Sequence, residues 1–250
     1  MSGARRTRLR DFFLLPATEL LGGLDRCLAA GARGLALVGA GLLAGWWLYV
    51  PLHELLHAAG CVAAGGSVSR LEIDALYGGA VLQRLFPFVT VGSEYAGRLS
   101  GFDTAGSDWI YLATDLAPFL LTLLPGIWWL RRSGRSGQPF LFGASLPFAL
   151  APFLSLTGDA YEIGSLAAVH LPPARGVRAL VGDDVVRKAG ELDLADPVQL
   201  GGFVLAIVLG LFWCFGWSAA ARWIAERLGE PPIEPVARAA ASGETGGASR

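Results

Sequence analysis

Trp46 to Gly66 reads WWLYVPLHELLHAAGCVAAGG, a His-Glu-x-x-His motif at the end of a long apolar run. On a helix His53 and His57 are one turn apart, so both imidazoles leave the same face and can close on one tetrahedral metal ion. Glu54 lies between them, offset from the ion yet within reach of a water beside it. Two neutral ligands, an open coordination position and a general base are what metal-assisted hydrolysis needs. On an amphipathic surface helix the same letters would be two exposed histidines flanking a solvated glutamate. The upstream sequence argues against that, because Leu35 to Leu52 is an uncharged run of 18 residues. It sets the motif at a bilayer boundary, where ionisable groups are costly and mark function.

The whole chain has the matching composition. Its 250 residues are 53% hydrophobic and 16% charged, with mean hydropathy +0.49, values of a polytopic membrane protein. Its 20 basic residues against 21 acidic ones give no case for a nucleic-acid partner. Cys27, Cys61 and Cys214 lack CxxC spacing and are read as small packing residues.

The pattern predicts an all-α membrane protein of four transmembrane helices, at about 35–64, 109–130, 140–158 and 199–221, within a domain of residues 35–228. Residues 1–34 carry Arg5, Arg6, Arg8 and Arg10 and then, from Pro16, an interfacial helix. Leu20, Leu21, Leu24 and Leu28 would face the membrane, with Thr18, Glu19, Asp25 and Arg26 on the other side. Gly41 and Gly45 in the first span, and Gly202, Ala206 and Gly210 in the fourth, permit close helix contact. Pro51 should disturb the hydrogen-bond ladder beside the motif. After the first span Leu71, Ile73 and Ala75 alternate with Glu72 and Asp74, Tyr77-Gly78-Gly79 turns, and Ala80 to Leu85 resumes, which reads as a small β-hairpin followed by a strand at Phe88 to Val91. Its edge either holds an extended peptide or only plugs the bundle. The Pro/Gly/Ala/Ser-rich tail, residues 229–250, is expected to be disordered.

Successive spans alternate in direction. The end of the first at His53 to His57, the start of the second near Asp115 and the end of the third at Asp159 therefore meet one membrane face. Candidates for a third metal ligand are Asp159, Glu162, Asp115 and His170. Asp159 is preferred, because Pro147, Pro152 and Gly158 break the third span and deliver it at that face. Glu162, one turn further, can ligate instead or hydrogen-bond a ligand, and Asp115 can support a ligand in the same way. His170 precedes Leu171-Pro172-Pro173 and reads as an exposed histidine.

HELLH at the end of a membrane helix, a downstream Gly-Gly, Tyr77-Gly78-Gly79 and a later Gly158-Asp159 together resemble the intramembrane zinc metallopeptidases of the site-2 protease class, above all its small, compact bacterial relatives. The resemblance spans Val50 to Glu162. It implies Zn²⁺ held by His53, His57 and Asp159, with Glu54 activating water for peptide hydrolysis. The implied substrate is a membrane protein or peptide in the lipid bilayer. Leu56 stands where the class has Gly before the second His, Leu156-Thr157-Gly158-Asp159 replaces its Asn-containing signature, and the chain has no Asn at all. The alternative is a non-catalytic zinc-binding scaffold, a degenerate protease relative. Arg5 to Arg10 and Arg131 to Arg135 are the densest basic segments, which predicts a cytoplasmic N-terminus in a bacterial inner membrane.

Overall fold

A computed structural model describes residues 2–234, with side chains from Phe12 onward. Helices α1 (Ser2–Leu28) and α2 (Ala32–Ala63) are followed by β1 (Ser67–Ile73), α3 (Gly79–Leu85), β2 (Val89–Val91) and β3 (Gly97–Asp103). Next come α4 (Asp108–Leu116), α5 (Ile127–Arg135), α6 (Pro139–Leu154), α7 (Asp159–Ala168), α8 (Val185–Glu191) and α9 (Pro197–Arg227). Four segments are long and apolar enough to cross a membrane: Ala32–Ala63, Asp108–Arg135, Pro139–Ala168 and Pro197–Arg227. They turn large apolar residues outward, Leu43 at 73% and Phe212 at 55% exposure, a surface suited to hydrocarbon. The second and third are broken helices. The second bends at Thr122–Gly126, where Leu124 is extended before Pro125, and the third breaks between α6 and α7. Pro51, by contrast, leaves α2 continuous.

The chain forms two compact units. The first comprises the described parts of Met1–Trp46, Thr122–Leu150 and Trp217–Arg250, around a core that includes Cys27, Val38, Ile127, Leu130 and Phe142. A Cβ on Gly41 would lie 2.0 Å from the Phe140 carbonyl oxygen and one on Gly45 2.2 Å from that of Ala144. The small residues thus let α2 and α6 touch backbone to backbone, as their spacing predicts. Glu19 corrects the expected amphipathic pattern of α1, because it is fully buried rather than outward. Its Oε1 lies 2.7 Å from Arg131 Nη2 and its Oε2 2.8 Å from Arg222 Nε. A charge enters an apolar core only with such partners. Arg131 Nη1 also donates to the Glu230 carbonyl at 2.9 Å, so Glu230 and Ile233 are buried. The expected disordered tail therefore does not begin at 229; its part from 235 to 250 lies outside the described residues.

The second unit, Trp47–Leu121 with Ala151–Gly216, contains a three-stranded sheet of order β2-β1-β3. β1 runs parallel to β2 and antiparallel to β3, with Leu71 opposite Val89 on one side and Leu99 on the other. Leu71, Ile73 and Val89 are buried and Leu82 packs on them. This corrects the expected hairpin. The Asp74 side chain accepts the Leu76 N–H at 2.8 Å and opens a 3-10 turn. Gly78 follows at φ 83°, and residues 80–85 become α3. The run AVLQRL has helix-forming residues and little β-branching, so local propensity wins over the apolar alternation. The strand that completes the sheet is β3. In the same unit a Cβ on Gly164 would meet the Ala206 carbonyl oxygen at 2.1 Å, and one on Gly210 that of Ala160 at 2.3 Å. The predicted small face of the fourth span thus seats α7.

Candidate metal centre

α2 is continuous through His53 and His57, which fixes the two imidazoles on one face. Gly60, one turn on, lets α4 come close: a Cβ there would lie 2.6 Å from the Ala113 carbonyl oxygen. That approach puts the Thr114 carbonyl 2.9 Å from His57 Nδ1. A carbonyl only accepts, so Nδ1 carries the proton and the neutral ring keeps its lone pair on Nε2. His53 Nδ1 lies 2.7 Å from the Tyr49 hydroxyl, which can hold the same tautomer by accepting from Nδ1–H. Tyr49 stands four residues before His53 on the same helix face, a spacing from which it could have been singled out in the sequence.

Asp159 begins α7 after Gly158, whose φ −108° and ψ −111° turn the chain out of the broken span. Its Oδ2 lies 3.1 Å from His53 Nε2 and 3.7 Å from His57 Nε2, and the two Nε2 atoms are 3.1 Å apart. A tetrahedral ion about 2.0–2.1 Å from each of three ligands requires ligand–ligand edges of about 3.3–3.4 Å. The three observed edges bracket that value. Asp159 Oδ2 is buried and makes no well-formed hydrogen bond among the described residues. One proton can bridge two of these three atoms at a time, whereas a tetrahedral ion reaches all three. The donor set and the triangle therefore fit a divalent ion of zinc size. Among the described residues this is the one group of three His, Cys, Asp or Glu residues whose ligand atoms all lie within 4.8 Å of one another.

A cavity of about 430 Å³ opens beside the triad and is lined by Glu54, His57, Asp115, Asp159 and Glu162, with part of β3. Glu54 is half-buried and accepts the Leu99 backbone N–H from β3. Gly97 of the same strand packs on it, since a Cβ there would lie 2.4 Å from Glu54 Cγ. The free side of β3 thus faces Glu54, and the cavity edge is residues 97–103 rather than the expected 71–85. Composition around Gly97 carried no signal for this contact.

The other candidates fall outside the triangle. Glu162 accepts a hydrogen bond from the Tyr111 hydroxyl, and Asp115 is buried in the cavity wall next to Thr114. His170 is exposed, 3.1 Å from Asp108 Oδ2, as its loop position suggested. Arg178 joins it there, 2.8 Å and 2.5 Å from the two Asp108 oxygens, which ties the loop after α7 to the start of α4. Comparison of the chain with protein-family models, curated proteins and solved structures gives no significant match.

Proposed function

We propose that the protein is a membrane-embedded zinc metallopeptidase that hydrolyses peptide bonds at the bilayer boundary, with His53, His57 and Asp159 as ligands and Glu54 as general base. The observation that carries this is the ligand triangle, whose one carboxylate and two imidazoles converge beside a cavity that also holds Glu54. When bound, zinc supplies Lewis acidity, polarising the scissile carbonyl and acidifying a water molecule. Glu54 takes the proton as the water oxygen bonds to the carbonyl carbon, then gives it to the leaving nitrogen as the C–N bond breaks. The Leu99 N–H and the close fit of Gly97 hold that carboxylate in place. A helical substrate hides its carbonyls in its own hydrogen bonds, so it must unwind; the free side of β3 offers backbone groups to an extended peptide. The N-terminal and Arg131 to Arg135 basic segments favour a cytoplasmic N-terminus, in a bacterial inner membrane.

The test is Glu54→Gln in purified, zinc-loaded protein in lipid nanodiscs. Cleavage of a membrane-inserted peptide should fall by roughly 10²- to 10⁴-fold while bound zinc stays stoichiometric. Unchanged turnover would sink the assignment. Stoichiometric zinc with no turnover in the unaltered protein would instead support a non-catalytic scaffold.

A further inference from the structure

The cavity beside the triad holds more carboxyl groups than peptide hydrolysis uses. Glu54 and Asp159 offset a divalent ion. Asp183, also in the wall, lies 3.2 Å from Arg187, and Asp184 Oδ1 accepts the Arg187 backbone N–H at 2.9 Å. Two carboxylates remain. Glu162 has the Tyr111 hydroxyl, a neutral donor. Asp115 is 3% exposed, and its Oδ2 has no hydrogen-bond partner among the described residues. Asp115 and Glu162 line the same cavity. Two carboxylates in one low-dielectric wall repel each other unless a proton or a cation lies between them. Arg98 is the one guanidinium in the lining, and it lies over the Tyr95 ring, 6.0 Å from its centroid.

A second metal ion is a poor occupant. It needs a third donor close to both acids, and no group of three containing Asp115 or Glu162 has its ligand atoms within 4.8 Å of one another among the described residues. An ammonium or guanidinium needs only acceptors. We propose that Asp115 and Glu162 form a subsite for an organic cation carried by the substrate peptide beside the scissile bond, a Lys or Arg side chain or a free terminal amine. Glu162 is one helical turn beyond Asp159, and Asp115 adjoins the carbonyl that holds His57, so the subsite borders the metal ligands on both helices. A peptide laid along β3 brings a side chain into this cavity. The inference rests on the peptidase proposal for its substrate class, and its test reads binding alone.

The experiment uses the zinc-loaded Glu54→Gln protein in nanodiscs and fluorescently labelled, Nα-acetylated peptide amides that differ only in carrying Lys or the uncharged norleucine at one position. Peptides with Lys scanned through each position are compared by anisotropy. At one position Lys should bind roughly 10- to 100-fold more tightly than norleucine. In Asp115→Asn and Glu162→Gln derivatives that retain their zinc, that ratio should fall toward one. A norleucine peptide with a free N-terminus distinguishes the sources: tight binding lost on acetylation assigns the cation to the terminal amine. Equal binding of Lys, free-amine and norleucine peptides overturns the subsite, as does a preference that both variants leave intact. If the unaltered protein cleaves none of these peptides, the peptidase proposal fails while the binding ratio still decides this one.

Discussion

Replacing Tyr49 by Phe removes one oxygen and tests how His53 is held for a metal. The phenol is 4% exposed, His53 is 8% exposed, and the oxygen lies 2.7 Å from Nδ1. With a cation on Nε2 the ring must carry its proton on Nδ1, so the variant leaves a buried donor without its acceptor. Such a loss costs about 1–3 kcal/mol, which corresponds to roughly 5- to 150-fold in zinc affinity. That range matches the roughly 10- to 100-fold effect of removing a hydrogen-bond partner from a metal-binding histidine. Without metal the ring escapes the penalty. It can move its proton to Nε2, where Asp159 Oδ2 and His57 Nε2 both stand 3.1 Å away. The variant should therefore weaken zinc in a chelator competition while the melting temperature of the metal-free protein hardly moves. The opposite pattern, unchanged zinc affinity with a metal-free protein melting several degrees lower, would refute this account and leave Tyr49 as a packing residue.

Gly97→Ala should cut turnover by roughly 100-fold with zinc content unchanged, because the new Cβ would sit 2.4 Å from Glu54 Cγ and move the base without touching a ligand; parallel zinc analysis and peptide cleavage check it. Glu19→Gln leaves the guanidinium groups of Arg131 and Arg222 buried without their shared counter-charge. It should destabilise the protein by about 3–5 kcal/mol, read as a lower melting temperature in detergent. Gly210→Ala forces a methyl to within 2.3 Å of the Ala160 carbonyl oxygen. It should cost about 1–3 kcal/mol and also weaken zinc binding, since Ala160 adjoins Asp159; a stable variant of unaltered zinc affinity would contradict the role given to this packing.

Features fixed by local spacing were legible in the sequence. The four apolar segments, the His53 and His57 pair, the small faces around Gly41, Gly45 and Gly210, and the delivery of Asp159 after Gly158 follow from periodicity and Gly, whereas Pro147 and Pro152, expected to break the third span, lie inside the continuous α6. What depends on tertiary contacts is not legible there. The β3 strand, GRLSGFD, has no apolar alternation strong enough to announce it, and it becomes a strand because β1 offers a pairing edge. Hydrophobicity alone predicts a strand over residues 80–85, although their side chains favour a helix. Local pattern turns Glu19 outward because its two partners, Arg131 and Arg222, are more than a hundred residues away in the sequence. For the same reason nothing local pointed to the Thr114 carbonyl as the partner of His57.

Two clusters of buried ionisable groups among the described residues differ in how far they are satisfied. Around Glu19 each carboxylate oxygen meets a guanidinium, and Arg131 and Arg222 complete their sets with the Glu230 and Ser218 carbonyls. One Arg222 nitrogen is left over. A network so nearly closed specifies a fold rather than a ligand site. In the other unit the buried oxygens without a well-formed hydrogen bond among the described residues are Asp159 Oδ2, which lies 3.1 Å from His53 Nε2 and 3.7 Å from His57 Nε2, and Asp115 Oδ2; both residues line the cavity. A buried carboxylate either keeps its proton or is met by a cation. The ligand triangle suits a metal ion at Asp159, and among the described residues no third ligand atom stands close to Asp115, so the occupant proposed there is an ammonium or guanidinium. If zinc loading alone raised the protein's stability and Lys-containing peptides added nothing further to it, Asp115 would have to keep its proton, and the cavity would have no preference for basic substrates.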